Sequence, residues 1–292
     1  GQPNDVVVTG SSNVFVSTNV GGSGRVYRLN GSLVQQEILQ FPSGTTVLRI
    51  ALSSDQSKLI VCVSNGSCIA YDAGNLNNGS VRTFQNVQAL GNNNVALVSA
   101  PVSGGGNSFY VGSSNGTVIL IGQYGLDGTA GNVSRTSGNL FSVTASSFTR
   151  NWYGGFVAGS YTYFVVLDVS TSSAMDPGSR PAMRVLRVCD NSNEASVAAM
   201  VEIELNCLGL STRVDAACRF AGASLVNAFP NGTAFEPTLV VASVTPFQIY
   251  GGTISSRMCP FSLSSIDSAI ADASMRCSSG TLPWRSSPSS PS

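Results

Sequence analysis

A chain of 292 residues without a single histidine lacks the commonest catalytic base from the outset. No Ser-His-Asp or Cys-His pair, no HExxH helix and no imidazole-supported zinc or haem site can be assembled from it. Lys58 is the only lysine, in a Ser-Ser-Asp-Gln-Ser-Lys turn, with no Gly-x-x-x-x-Gly-Lys frame around it and nothing to suggest a Schiff base. Cys62 and Cys68 are spaced too widely for a CxxC metal knuckle, and no second pair repeats them. Two carboxylates suffice for a glycosidase. Glu202 and Glu204 alternate with Val201, Ile203 and Leu205, however, which makes them the exposed face of a strand. Ser53-x-Asp55-x-Ser57 begins like the Asp-box turn of sialidase propellers but lacks its Gly, Thr and Trp, leaving a polar hairpin turn. Gly21-Gly22-Ser23-Gly24 and Gly104-Gly105-Gly106 precede no helical pattern and read as loop tips, not phosphate cradles. The sequence therefore offers no catalytic, cofactor or metal site, and the expectation is a protein that is not an enzyme and needs no cofactor.

The elements that would position such residues are strands. Tyr161–Val169 is rich in aromatic and β-branched residues, Met183–Val188 alternates apolar and Arg side chains, and Val197–Leu205 alternates apolar with Glu. A strand, a Gly turn and a second strand recur along the chain. Val14-Phe15-Val16 leads to Arg25–Leu29, Leu59-Ile60-Val61 to Cys68–Tyr71, and Phe109-Tyr110-Val111 to Thr117–Ile121, with further units near Tyr163 and Leu239. The interval of roughly 45 to 55 residues, longer in the last unit, is that of a four-stranded propeller blade. Thr46–Leu52 and Asn94–Ala100 are candidate innermost strands. One helix is expected, Ser265–Met275, with Ser264 and Asp267 as a capping box. The Ser-Pro stretch beyond Pro283 reads as a tail or linker, giving a domain over 1–282 and a tail over 283–292.

With 42% hydrophobic and 10% charged residues, the chain buries a large core and is not disordered. Acidic and basic residues balance at 15 each and no basic run occurs, which argues against a nucleic-acid partner. The apolar runs are strand-sized, so any membrane attachment would come from segments outside this chain. Six Asn-x-Ser/Thr sequons, at Asn30, Asn65, Asn78, Asn115, Asn132 and Asn231, five of them Asn-Gly, place candidate glycosylation sites in turns. With seven cysteines, they point to an extracellular setting. Cys62 and Cys68 flank a Gly turn on hairpin strands and are expected to bond.

The order of motifs resembles that of sema domains, the propellers of semaphorins, plexins and scatter-factor receptors. The Tyr-Phe strand YTYFVVLDVS precedes RVLRVCD and a strand closing on Leu-Asn-Cys. Earlier stretches, VFVSTNVGGSGRVYRLNGSL, KLIVCVSNGSCIAYDAGNL and VALVSAPVSGGGNSFYVGSSNG, are similar to the first three blades. The close pair Cys62 and Cys68, with MCPFSL followed by a helix, Cys277 and Gly-Thr-Leu, looks most like plexins. Val63-Ser64, the insert Thr171–Ser179 and Cys218 depart from the family pattern, marking a divergent member.

The resemblance implies an all-β, sema-type propeller of seven blades, of which about five are present here. It implies a bond between Cys207 and Cys259, with Cys189 and Cys277 sent to partners further downstream. It also implies an extracellular protein-binding domain of a plexin-like cell-surface receptor, with a semaphorin-like ligand or a co-receptor as partner, no small-molecule substrate and a role in signal transduction. The alternatives are a secreted or membrane-bound semaphorin-type ligand and, in another class, a propeller glycosidase. An intracellular WD-type propeller would need a Gly-His element that a histidine-free chain cannot supply.

Overall fold

The computed structural model describes residues 3–85, 87, 95–102, 106–115, 118–126, 138–144, 148–159, 161–170, 182–189, 201–204, 219–228, 236–245 and 255–278. These form five antiparallel sheets in chain order. The first holds β1 (Pro3–Val8), β2 (Val14–Val20), β3 (Ser23–Leu29) and β4 (Gln35–Gln40); the second β5 (Val47–Leu52), β6 (Lys58–Val63), β7 (Ser67–Asp72) and β8 (Ser80–Phe84). The third holds β9 (Val95–Val102), β10 (Gly106–Asn115), β11 (Val118–Gly125) and β12 (Gly138–Thr144); the fourth β13 (Phe148–Ala158), β14 (Tyr161–Ser170), β15 (Ala182–Cys189) and β16 (Val201–Glu204). The fifth holds β17 (Arg219–Ala228), β18 (Glu236–Thr245) and β19 (Ser255–Ser262), followed by helix α1 (Leu263–Ser278). Within each sheet, strands pair in sequence order. The first strands of consecutive sheets also touch one another, β1 with β5, β5 with β9, β9 with β13 and β13 with β17, so they converge on one axis as propeller blades do.

Side-chain alternation explains how the sheets stack, since neighbouring residues of a strand face opposite sides. In the second sheet Leu59 and Val61 bury against the first sheet, in one cluster with Phe15 and Val26. Ile60, between them, turns the other way and joins Phe109 and Val111 of the third sheet. Tyr110 in turn faces the fourth sheet, packing with Trp152, Phe164 and Val166. Tyr163 and Val165 face the fifth, with Leu239 and the helix residues Ile266 and Ile270. The second, third and fourth strand-turn-strand units thus each supply one apolar face to the sheet before and one to the sheet after.

Several strands are not read in advance from the sequence. β13 is the clearest: its pairing with β14 shifts register between Trp152 and Gly154, and this bulge with Gly154-Gly155 breaks the alternation that marks a strand. Bulges recur in the first strands β1, β5 and β17. Gly155 permits close packing, because a Cβ there would lie 2.2 Å from the Tyr163 carbonyl oxygen. The helix also differs from expectation. It runs from Leu263 to Ser278, and its first turn is capped by Ser262, whose Oγ accepts the Ser265 N–H at 3.2 Å, not by a Ser264–Asp267 box. Asp267 lies beyond the first turn and bonds outward to the fourth sheet. The Val197–Met200 part of the expected third strand lies outside the described residues, as do Gly104-Gly105 and the stretch over 283–292.

Candidate interaction surfaces

The second sheet carries the one covalent crosslink among the described residues. Cys62 on β6 stands directly opposite Cys68 on β7, both fully buried, and the two sulfurs are bonded. The turn between them, Ser64-Asn65-Gly66, takes Gly66 to φ +85°, a backbone that glycine adopts without a Cβ penalty. Asn65 is exposed there, its Oδ1 accepting the Ser67 N–H at 3.1 Å. Asn78 is exposed at the end of a 3₁₀ turn, Leu76–Asn78, followed by Gly79 at φ +83°. Asn30 is half-buried; its Oδ1 accepts the N–H groups of Ser32 and Val34, each at 3.0 Å. Asn115 ends β10, opposite Val118. Asn132, Asn231 and Cys207 lie outside the described residues, and with Cys207 the expected Cys207–Cys259 bond. The backbone of Cys259 pairs with Val241, and that of Cys189 with Tyr161. The side chains of Glu202 and Glu204, in β16 opposite Leu186 and Arg184, also lie outside the described residues, and with them their expected exposure.

Two polar clusters tie sheets together. The turn between β5 and β6 is organised by Asp55, whose Oδ1 accepts the Ser53 hydroxyl at 2.5 Å and the Ser57 N–H at 3.0 Å. The Ser53 and Ser57 hydrogen bonds hold its carboxyl at about 2, well below the usual carboxylate range. The same turn reaches both neighbouring sheets: Gln56 accepts the Gly10 N–H at 2.7 Å and Ser54 donates to Asn107. The second cluster fastens α1 to the fourth sheet. Asp267 accepts from the Tyr163 hydroxyl at 2.6 Å and from Arg187 at 3.0 Å, while Arg187 lies 4.1 Å above the Tyr161 ring. Burial and the Asp267 carboxylate push the Tyr163 phenol far above its ordinary value. Neither cluster leaves a local signature in the sequence, because its partners lie far apart along the chain.

Among the described residues, the outer face of the first sheet is apolar and partly exposed. Val6, Val16, Tyr27 and Ile38 are in register across β1 to β4, and Val8, Val14 and Leu29 form the next row. Their neighbours Phe15 and Val26, pointing the other way, are fully buried against the second sheet. Val6, Val8 and Ile38 are instead 49%, 60% and 38% exposed. The adjoining loop adds Leu33 and Val34, also exposed, with Leu33 held at φ +59° by the Asn30 turn.

No protein-family model matches the chain, and no curated protein matches it. Among solved structures it is similar to Drosophila Plexin A, determined in complex with Semaphorin 1b, at a TM-score of 0.54 and 14% identity. That likeness covers 92% of this chain and 55% of the plexin chain, so this chain spans about half the length of the structure it resembles. It is also similar to Chaetomium thermophilum Raptor, at a TM-score of 0.47 and 12% identity over 89% of this chain and 20% of that one, a likeness too slight to bear on the fold. The plexin likeness and the order of the sheets define an all-β fold of the sema, propeller-like type.

Proposed function

We propose that this chain is the extracellular, protein-binding propeller of a plexin-like cell-surface receptor, taking a semaphorin-like protein as ligand and passing the signal through segments outside this chain. The observation that carries the reading is the succession of stacked antiparallel sheets shared with a plexin over 92% of this chain. A buried hairpin disulfide and exposed Asn-Gly turns support the compartment, since disulfides persist outside the reducing cytosol and glycans need accessible turns. On this reading residues 1–282 are propeller and 283–292 a Ser-Pro tail. A rigid stack of sheets presents loops and edges rather than a reaction centre, which suits recognition of another folded protein.

The test is to secrete the chain from eukaryotic cells, map its glycopeptides and titrate it against a panel of purified semaphorin ectodomains by biolayer interferometry. Glycan at Asn65 or Asn78 together with saturable binding to a semaphorin supports the reading. Unmodified sequons would count against the extracellular setting, and binding to plexin ectodomains instead would assign the chain to the ligand side.

A further inference from the structure

The strands of the first sheet run in the order β1, β2, β3, β4, and its outer face is laid out in rows across them. One row runs Val6, Val16, Tyr27, Ile38, with the exposed Val6 and Ile38 at its two ends and the half-buried Val16 and Tyr27 between them. On one side of it Val14 stands opposite Leu29, both half-buried, and on the other Thr18 stands opposite Arg25. None of these positions holds a carboxylate.

The Thr18 and Arg25 row is unfinished. Thr18 is 9% exposed, and its Oγ1 and the Arg25 Nε are both buried without a hydrogen-bond partner. Arg25 also forms no ion pair among the described residues. An Nε–H can only donate and a hydroxyl can accept, yet the two neighbours do not satisfy each other. Buried polar atoms left in this state are uncommon, because each has given up its bonds to water without replacement.

A two-fold axis running along the strands between β2 and β3 exchanges β1 with β4 and β2 with β3. Two first sheets packed face to face about that axis, about 10 Å apart as in a sandwich, set the Thr18 of each copy over the Arg25 of the other. Val14 then lies over Leu29, Val16 over Tyr27 and Val6 over Ile38, so smaller side chains meet larger ones and apolar meets apolar. The two guanidiniums fall on opposite sides of the axis, each facing a hydroxyl. We infer that this face docks the same face of a second copy of the chain in a two-fold dimer. Such an interface is self-complementary, every contact occurring twice. It extends a contact already used inside the molecule, where sheet lies against sheet between consecutive blades. The inference is independent of which protein the propeller recognises.

Val6 and Ile38 sit three strands apart in one chain, about 14 Å, and meet only across the axis. Sedimentation velocity on the 292-residue chain in reductant, on Val6→Asp, on Ile38→Lys and on their equimolar mixture therefore tests the pairing. The unaltered chain should form a dimer, and each variant alone should dimerise at least about tenfold more weakly, because a charge is pressed against an apolar side chain. The mixture should regain the dimer: one end then sets the new carboxylate against the new ammonium, and the other keeps Ile38 against Val6. The inference is overturned if the unaltered chain is monomeric at about 100 μM, if either variant alone dimerises as well as the unaltered chain, or if mixing restores nothing. Mixing cannot help if the face instead stacks head-to-tail on the fifth sheet, where Met258 is 77% exposed, because both variants then damage the same surface. Should either variant fail to fold by circular dichroism, Val6→Lys with Ile38→Asp decides by the same comparison.

Discussion

At the scale of single residues, the least conspicuous side chains do the most defined work. Asp55 sits in an exposed turn, and its carboxylate is held ionised by serine and backbone donors, at about 2 against an ordinary 3.8. A depressed value means that its contribution is present above the unfolded value and is lost as pH falls through the folded one. Asp55→Ala should therefore cost about 1 kcal/mol or less near pH 6, being solvent-screened, and the difference should shrink towards nothing by about pH 2. Urea midpoints of the two proteins at both pH values measure it. The buried Cys62–Cys68 bond closes a short loop, and chain entropy for such a loop gives roughly 2 kcal/mol. Replacing both residues by alanine should lower stability by about that much, and an unchanged urea midpoint would show that packing rather than the crosslink holds the hairpin. Residue-level reading anticipated the hairpin geometry around this pair, because two cysteines flanking an Asn-Gly turn are a local pattern. It could not find Tyr163 with Asp267, since a hydrogen bond between residues 104 positions apart leaves no local trace.

At the scale of elements, the strand-turn-strand units were legible because a two-residue period with a glycine turn is written into adjacent positions. The first strands were legible only in part. β5 and β9 read clearly as apolar runs, whereas β13 carries a bulge and two glycines that hide its alternation. Its glycines and Trp152 have a packing reason. Trp152 lies fully buried, donating to the Ser114 hydroxyl at 2.9 Å and meeting Phe164 edge-on, and a Cβ on Gly112 would come within 2.3 Å of its ring. Gly112→Ala should thus destabilise by about 1–3 kcal/mol, the range for overpacking a tight core. A thermal melt measures this, and a neutral result would mean that the ring has room to move. The apolar spacing of helix α1 is local and legible, whereas its Ser262 cap and its docking depend on the surrounding structure. Ile266 and Ile270 bury in the cluster between the fourth and fifth sheets, and Asp267 reaches Tyr163 and Arg187. Ile270→Ala should cost about 2–4 kcal/mol. Tyr163→Phe should cost about 1–3 kcal/mol by leaving Asp267 short of a donor. Hydrogen exchange should show α1 deprotected in both variants before the sheets, and uniform loss of protection would contradict a helix fastened as a separate unit.

At the scale of the whole molecule, one rule organises the core: the second, third and fourth sheets each bury one face against the sheet before and the other against the sheet after. Leu59 and Val61, then Phe109 and Val111, then Phe164 and Val166 all face backwards. The matching positions of the first sheet are Val14 and Val16, which share their face with the exposed Val6, Val8 and Ile38. The repeat made this succession legible in the sequence; the number of sheets in the assembled ring is not written in any one of them. Among the described residues the corresponding faces of the next three sheets are covered by a neighbouring sheet, and another apolar surface is expected to cover this one. Large contiguous apolar patches are uncommon on soluble monomers and mark interaction surfaces. The most direct measurement is light scattering coupled to size-exclusion chromatography on residues 1–292, with a reductant present so that free thiols do not cross-link, beside the variant carrying Val8→Lys and Ile38→Lys. The unaltered chain is expected to self-associate with rising concentration, and the variant, equally folded by circular dichroism, to stay monomeric. A stable monomer from the unaltered chain, or association that the two lysines leave untouched, would contradict it.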